Sequence, residues 1–303
     1  MKRLLSLIAA CLAVAVGAGA CLVDRAIHRP RTALTADNHA RAADLATSLG
    51  AVLETVSVTA GDGATLQGWL FTPGNSNGDT VMLLHGITSN RAGMLPRARA
   101  LLERGYRALA LDGRGHGDSG GDLVTFGALE SGDMRGWIAW VRQRATNGCV
   151  FLLGDSLGAA VALQSADAPG VCGVIAQSAF ANMREIAFDR VGQQLRTGAW
   201  VGRSVLRPGI EAGLLYARVR YGVDLGAASA LAAVSRPGAP VLVIHGELDD
   251  NAPARHARML GQANPSRVTT WIVPGGAHGG FGAGEPDYDT RLFEFLARTR
   301  KTG

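Results

Sequence analysis

Two kinds of hydrophobic pattern follow one another along this chain, and the change from one to the other organises it. Residues 52–59 and 65–72 mix apolar and polar positions and flank Gly61-Asp62-Gly63, the signal of an antiparallel hairpin. From residue 80 onward, short uninterrupted apolar runs alternate with stretches of helical period. The runs fall at 80–85, 107–111, 150–153, 171–177, 240–245 and 267–273, with helices expected at 91–104, 126–144, 156–166 and after each of the last two runs. A strand covered on both faces has no polar side to show. Such runs, separated by helices, therefore predict an α/β fold with a mostly parallel central sheet and helices on both faces. Residues 181–235 lack any strand pattern. They carry Arg184, Arg190, Arg196, Arg203, Arg207, Arg218 and Arg220 among apolar positions and read as a helical insertion.

The N-terminus follows different rules. Lys2-Arg3 precedes an uncharged stretch to Val23, closed by Asp24 and Arg25, which is the secretory-signal pattern. Ala18-Gly19-Ala20 supplies a cleavage site that would leave Cys21 first. Lipid attachment at Cys21 is disfavoured, because Ala18 stands where bacterial lipoprotein signals favour leucine. The stretch is also about 20 residues long, enough to span a bilayer uncleaved. Arg25, Arg29 and Arg31 balance Lys2 and Arg3, so charge does not orient it. The expectation is export, with a periplasmic or extracytoplasmic protein that is secreted or membrane-anchored. The chain divides accordingly into a signal or anchor (1–28), a linker with a short helix (29–50), a core (51–180 and 236–303) and a helical cap (181–235).

Hydrophobic residues make up 47% of the 303 and charged residues 18%, ample for a large core and against wholesale disorder. The net charge of +5 comes almost wholly from scattered arginines interspersed with acids, and Lys appears only at Lys2 and Lys301. A nucleic-acid partner would need that charge clustered on one face, so none is expected. Cys149 and Cys172 each open a predicted strand. A disulfide is conceivable if those strands are neighbours, but two buried free thiols are the preferred reading. No C-x-x-C and no Cys/His cluster occurs, so neither metal nor cofactor is expected.

Gly154-Asp155-Ser156-Leu157-Gly158 is a G-x-S-x-G pentapeptide. In a chain with 41 glycines it means little alone, but here a strand precedes it and a helix follows, the context the motif needs. Small neighbours let the Ser156 hydroxyl project from the sheet edge. A hydroxyl needs a base, and the base an orienting acid. His278 lies in a glycine-flanked loop after the last strand and suits the base. Glu247, Asp249 and Asp250 share the loop after 240–245. Asp249 is preferred because Pro253 frames a short strand-to-helix loop; Asp250 is the runner-up for the acid and otherwise caps the next helix. Two N–H donors for an oxyanion are expected from Leu157 and from Ile87, in His85-Gly86-Ile87-Thr88.

At these residues the chain resembles the α/β-hydrolase superfamily. Five landmarks recur in that family's order: His85-Gly86, Asp112-Gly113-Arg114-Gly115-His116-Gly117-Asp118-Ser119, the Ser156 elbow, His245-Gly246-Glu247-Leu248-Asp249 and Gly276-Ala277-His278. The nearest likeness is to the lysophospholipase, monoacylglycerol-lipase and serine-aminopeptidase branch, in particular bacterial members with an N-terminal apolar segment. The resemblance implies the α/β-hydrolase fold with a cap, and a serine hydrolase cleaving a carboxylic ester of a small or lipid-like molecule through an acyl-enzyme on Ser156. Peptidase, thioesterase and acyltransferase activities use the same residues, and a catalytically silent envelope binding protein is the non-enzymatic alternative. His85, His116 and His245 are implied to be structural, while His28, His39 and His256 are expected to be solvated. Asp155, at the first variable elbow position, departs from nothing essential.

Overall fold

The computed structural model describes residues 2–145, 147–279, 282 and 286–300. One eight-stranded sheet runs through it in the order β1 (Ala51–Thr59), β2 (Thr65–Pro73), β4 (Arg107–Leu111), β3 (Thr80–Leu84), β5 (Val150–Asp155), β6 (Val171–Gln177), β7 (Val241–Gly246), β8 (Val268–Val273). β1 and β2 form the expected hairpin, β2 also pairs antiparallel with β4, and every other pairing is parallel. The runs without polar positions are the interior strands. All five residues of β3 and all six of β7 are buried, whereas β1, at the edge, mixes half-buried and exposed positions. Alternate residues feed two apolar layers. Met82, Leu152, Val174 and Val243 pack on one face, and Leu83, Leu153, Ile175 and Ile244 on the other.

Helices cover both faces. They are α1 (Lys2–Ile27), α2 (Ala36–Ser48), α3 (Leu95–Leu102), α4 (Glu130–Arg144), α5 (Leu157–Gln164), α6 (Met183–Gln194), α7 (Trp200–Arg203), α8 (Arg207–Tyr221), α9 (Ala230–Val234), α10 (Arg255–Ala263) and α11 (Pro286–Arg300). α4 starts four residues later than its pattern predicts. The Glu130 carboxylate accepts from the amides of Thr125 and Gly127 and from the Thr125 hydroxyl, which fixes 125–129 as a turn. The stretch 181–235 forms α6 to α9 between β6 and β7.

One N-terminal expectation changes. Among the described residues, no helix is long and apolar enough to cross a membrane, so the spanning anchor is not supported. Instead the C-terminal part of α1 lies along α8. A Cβ on Gly19 would collide with the backbone of Gly209, and one on Gly213 would meet the Gly19 carbonyl carbon at 3.0 Å. The small residues thus permit a backbone-to-backbone crossing, beyond which Val23 and Ile27 enter the core. The thiol expectation also changes. β5 and β6 are adjacent, which brings the Cα atoms of Cys149 and Cys172 to 5.6 Å, and the two form a disulfide. The bond closes a separation of 23 residues, so chain-entropy reasoning gives it about 3 kcal/mol. Reduction with a phosphine should lower the urea midpoint by the equivalent amount, and Cys149→Ala/Cys172→Ala should show no further drop on reduction.

Candidate active site

β3 and β5 are neighbours in the sheet, but the chain moves outward from them in opposite directions, to β4 on one side and β6 on the other. The loops after these two strands therefore diverge and leave a crevice at the carboxyl edge, where ligands bind in open α/β sheets. Ser156 stands there, between β5 and α5, with φ 51° and ψ −107°. That conformation is strained for a residue with a side chain. It is reachable because Gly154 and Gly158 touch, so that a Cβ on Gly154 would meet the Ala159 amide nitrogen at 2.5 Å. The Ser156 amide is tied down by the Gln177 carbonyl at 2.8 Å.

His278 arrives on the loop after β8 and Asp249 on the loop after β7. The Leu248 amide donates to the Gly276 carbonyl at 2.8 Å, and Gly246 faces the Gly276 backbone with no room for a side chain. On the far side the Gly279 amide donates to the Ser178 hydroxyl at 3.3 Å. These ties bring the three expected side chains together. His278 Nε2 lies 3.1 Å from Ser156 Oγ, and His278 Nδ1 lies 2.8 Å from Asp249 Oδ2. A carboxylate only accepts, so Nδ1 carries the imidazole proton and the bare Nε2 faces the hydroxyl.

Asp249 is fully buried yet held as an anion. Burial pushes its carboxyl up, but hydrogen bonds from His245, His278 and the Ala252 amide outweigh that and hold it well below the usual carboxylate range. Its Oδ1 accepts from the amides of Asn251 and Ala252 at 2.9 and 2.8 Å, leaving Oδ2 for His278. His245 Nε2 sits 3.2 Å from the same Oδ2 and 2.6 Å from the Ala252 carbonyl. Both partners accept, so that nitrogen bears a proton. His245 is thus a second histidine on the acid. Its place at the end of β7, four residues before Asp249, was the available signal, but a strand-to-loop spacing does not disclose a side-chain contact.

Asp250 plays neither expected part. Its carbonyl accepts from the Gln193 side chain, and Ala254, not Asp250, is the N-cap of α10, with no side-chain cap. Glu247 instead accepts from the Gly275 amide at 3.1 Å. His256 is likewise corrected. It is fully buried, accepting from the Ala181 amide at 3.2 Å and lying 2.7 Å from Asp189, because α10 turns it under the insertion rather than to solvent. Asp155 does have a partner, Arg97, at 3.0 Å. Burial raises its pKa while Arg97 and His278 oppose the rise.

The loop after β3 passes close to the serine, since a Cβ on Gly86 would touch Ser156 Cβ at 3.5 Å. Among the described residues, neither the Ile87 nor the Leu157 amide donates to a backbone carbonyl, and Leu157 opens α5, where helix N–H groups lack internal partners. His85 fixes this loop. It accepts from the Gly113 amide at Nε2, 3.1 Å, so Nδ1 bears the proton and donates to the Gly86 carbonyl at 2.8 Å. Burial, reinforced by the neighbouring His116, pushes its pKa down to about 4. An unfolded histidine titrates near 6.5, so between about pH 6.5 and 4 the unfolded chain binds the extra proton and the folded one does not. Stability contributed by neutral His85 is complete above pH 6.5 and is lost as pH falls toward 4, by on the order of 3 kcal/mol. Acid unfolding of His85→Gln should start at a lower pH than that of the wild type, even if its stability at pH 8 is reduced.

A parallel sheet with an antiparallel start, a strained serine after β5 and a Ser–His–Asp hydrogen-bond chain are the arrangement of the α/β-hydrolase fold. The profile of Hydrolase_4, described as serine aminopeptidase, S33, matches residues 75–208, and the chain has the α/β-hydrolase fold. The uncharacterized protein YqkD of Bacillus subtilis is 27% identical over 204 residues, 66% of this chain and 65% of its own, just under two thirds of that relative's length. The Pyrococcus furiosus esterase Pf2001 superposes with a TM-score of 0.68 at 24% identity, covering 89% of this chain and 98% of its own. A bacterial membrane phospholipase A superposes at 0.57 with 19% identity over 99% of both chains.

Proposed function

We propose that the protein is a carboxylic-ester hydrolase working through an acyl-enzyme on Ser156. The observation that carries this reading is the continuous chain from Ser156 Oγ through His278 to an ionised, buried Asp249. Ser156 attacks the ester carbonyl as His278 Nε2 takes its proton, and the oxyanion forms toward the amides of Leu157 and Ile87. His278 passes the proton to the departing alcohol. It then takes one from water, whose attack on the acyl-enzyme releases the acid and restores Ser156. Asp249 stays ionised and stabilises the imidazolium. A fluorophosphonate probe should label the wild type and fail to label Ser156→Ala. A folded wild type that resists the probe and hydrolyses no 4-nitrophenyl ester would end the reading.

The same proposal places the protein outside the cytoplasm. The Cys149–Cys172 disulfide supports this, since such bonds persist in oxidising compartments. Association with a membrane through α1 is kept as part of the proposal on the strength of its apolar sequence. Fractionation followed by carbonate extraction tests it, and a protein found wholly in the cytosolic fraction would refute both.

A further inference from the structure

The segment between α1 and α2 reads as a linker in the sequence, yet it is tied along its length to the two loops that border the reacting groups. The Ile27 carbonyl accepts from the Val124 amide at 2.9 Å. Arg31 spreads its guanidinium over the loop after β4, donating to the Ser119 carbonyl and, at 3.0 Å, to that of Gly121. Thr32 then crosses to the loop after β3, where its hydroxyl donates to the Thr88 carbonyl at 2.8 Å. Asn90 returns the grip. Its Oδ1 accepts from the Ala92 amide at 3.0 Å, which turns Nδ2 toward the Thr32 and Ala33 carbonyls at 3.2 and 3.4 Å.

The grip falls where the backbone needs it. Residues 86–89 form a turn closed by the Ser89 amide on the Gly86 carbonyl at 3.3 Å, with Ile87 and Thr88 at its centre. Thr88 has φ 62°, a left-handed conformation that a β-branched residue rarely adopts. Such backbone persists only when its surroundings over-determine it. On one side His85 holds the Gly86 carbonyl, at 2.8 Å. On the other, Thr32 holds the Thr88 carbonyl, from a part of the chain outside the sheet. Relaxation of Thr88 would reorient the peptide it shares with Ile87, and the Ile87 amide is one of the two donors assigned to the oxyanion.

We propose that Thr32 is a positioning residue for catalysis, on a strap anchored by Arg31 and Asn90 that locks the turn at Ile87 in the conformation that receives the oxyanion. This rests on the ester-hydrolase reading above and deepens it, by assigning part of the transition-state machinery to the N-terminal segment. Because Arg31 and Thr32 follow Ala20, a chain cut at that site and an uncut one both carry the strap.

The test uses the full chain and 4-nitrophenyl butyrate. Thr32 is exposed, so Thr32→Val removes the hydroxyl without disturbing a packed core. Its kcat should fall by about three- to tenfold, the weight of one neutral hydrogen bond in an equilibrium between turn conformations, with KM little changed. Thr32→Ser keeps the donor and should retain the wild-type kcat. 1,1,1-Trifluoro-2-hexanone, whose carbonyl Ser156 would convert to an oxyanion, should bind Thr32→Val more weakly by the same factor. Thr35→Val is the stability control. Thr35 caps α2 by accepting from the Asn38 amide at 3.2 Å, so its loss should lower the melting temperature and leave kcat alone. An unchanged kcat in Thr32→Val, an equal fall in Thr32→Ser, or undiminished affinity for the ketone would overturn the strap while the hydrolase reading stands. Should no ester be cleaved, amide hydrogen exchange over residues 85–94 decides separately. Exchange of the Ser89 amide faster by about three- to tenfold in Thr32→Val supports the strap, and equal exchange removes it.

Discussion

Asp249→Asn is expected to lower kcat for a 4-nitrophenyl ester by about 10⁴-fold with little change in KM, the scale seen when a histidine base is locked in the wrong tautomer. The carboxylate accepts four hydrogen bonds, two from backbone amides at Oδ1 and two from imidazoles at Oδ2. Asparagine keeps the first pair if its carbonyl oxygen takes the Oδ1 position. Its NH₂ then points at His278 Nδ1 and His245 Nε2. His278 can answer by moving its proton to Nε2, but that nitrogen faces Ser156 and can no longer take a proton from it. His245 cannot answer without losing its bond to the Ala252 carbonyl. The variant should therefore also lose about 1–3 kcal/mol of stability, the cost of a buried donor with no acceptor. A pH–rate profile and a denaturant curve on the same preparation separate the two effects.

Gly158→Ala is expected to cost about 4 kcal/mol and, in whatever protein folds, to weaken the oxyanion donors. The new Cβ would fall 2.7 Å from the His85 carbonyl oxygen and closer still to the carbonyl of Leu84. Overpacking against side chains costs about 1–3 kcal/mol because rotamers can shift. Here the obstacle is backbone at the end of β3, buried and paired on both sides with β4 and β5. Either α5 moves away, taking the Leu157 amide with it, or the loop bearing Ile87 moves. Thermal unfolding should register the first cost, and kcat with a short-chain ester the second. Gly136→Ala, on α4 with open space around it, serves as the control and should be neutral or slightly stabilising.

Much of this was legible because it is written locally. An interior parallel strand has to be apolar throughout, so 107–111 and 171–177 coincide with β4 and β6 to the residue. A serine elbow needs glycines at fixed spacing, and the loops after the last two strands must supply the acid and the base. Contacts between distant segments were not written that way. Nothing near Cys149 tells which strand lies beside it, so the pairing with Cys172 emerges only from sheet order. His256 reads as a surface residue until α10 is turned under α6. The arginines of the insertion look like a basic face until Glu185, Glu211 and Asp189 are found among them.

The crossing of α1 over α8 bears on when the N-terminus could be processed. Signal peptidases act on extended backbone, and the Ala18-Gly19-Ala20 site lies in mid-helix with Gly19 pressed against Gly209 and Gly213. Once the insertion has folded, that peptide is shielded. Cleavage after Ala20, if it occurs, must outrun the docking of α8. A chain that escapes the cut gains a permanent helix whose end, through Ile27, reaches the loop at Val124. Shortened versions beginning at Arg29 would leave Ile210, Gly213 and Leu214 uncovered, a recipe for aggregation during purification.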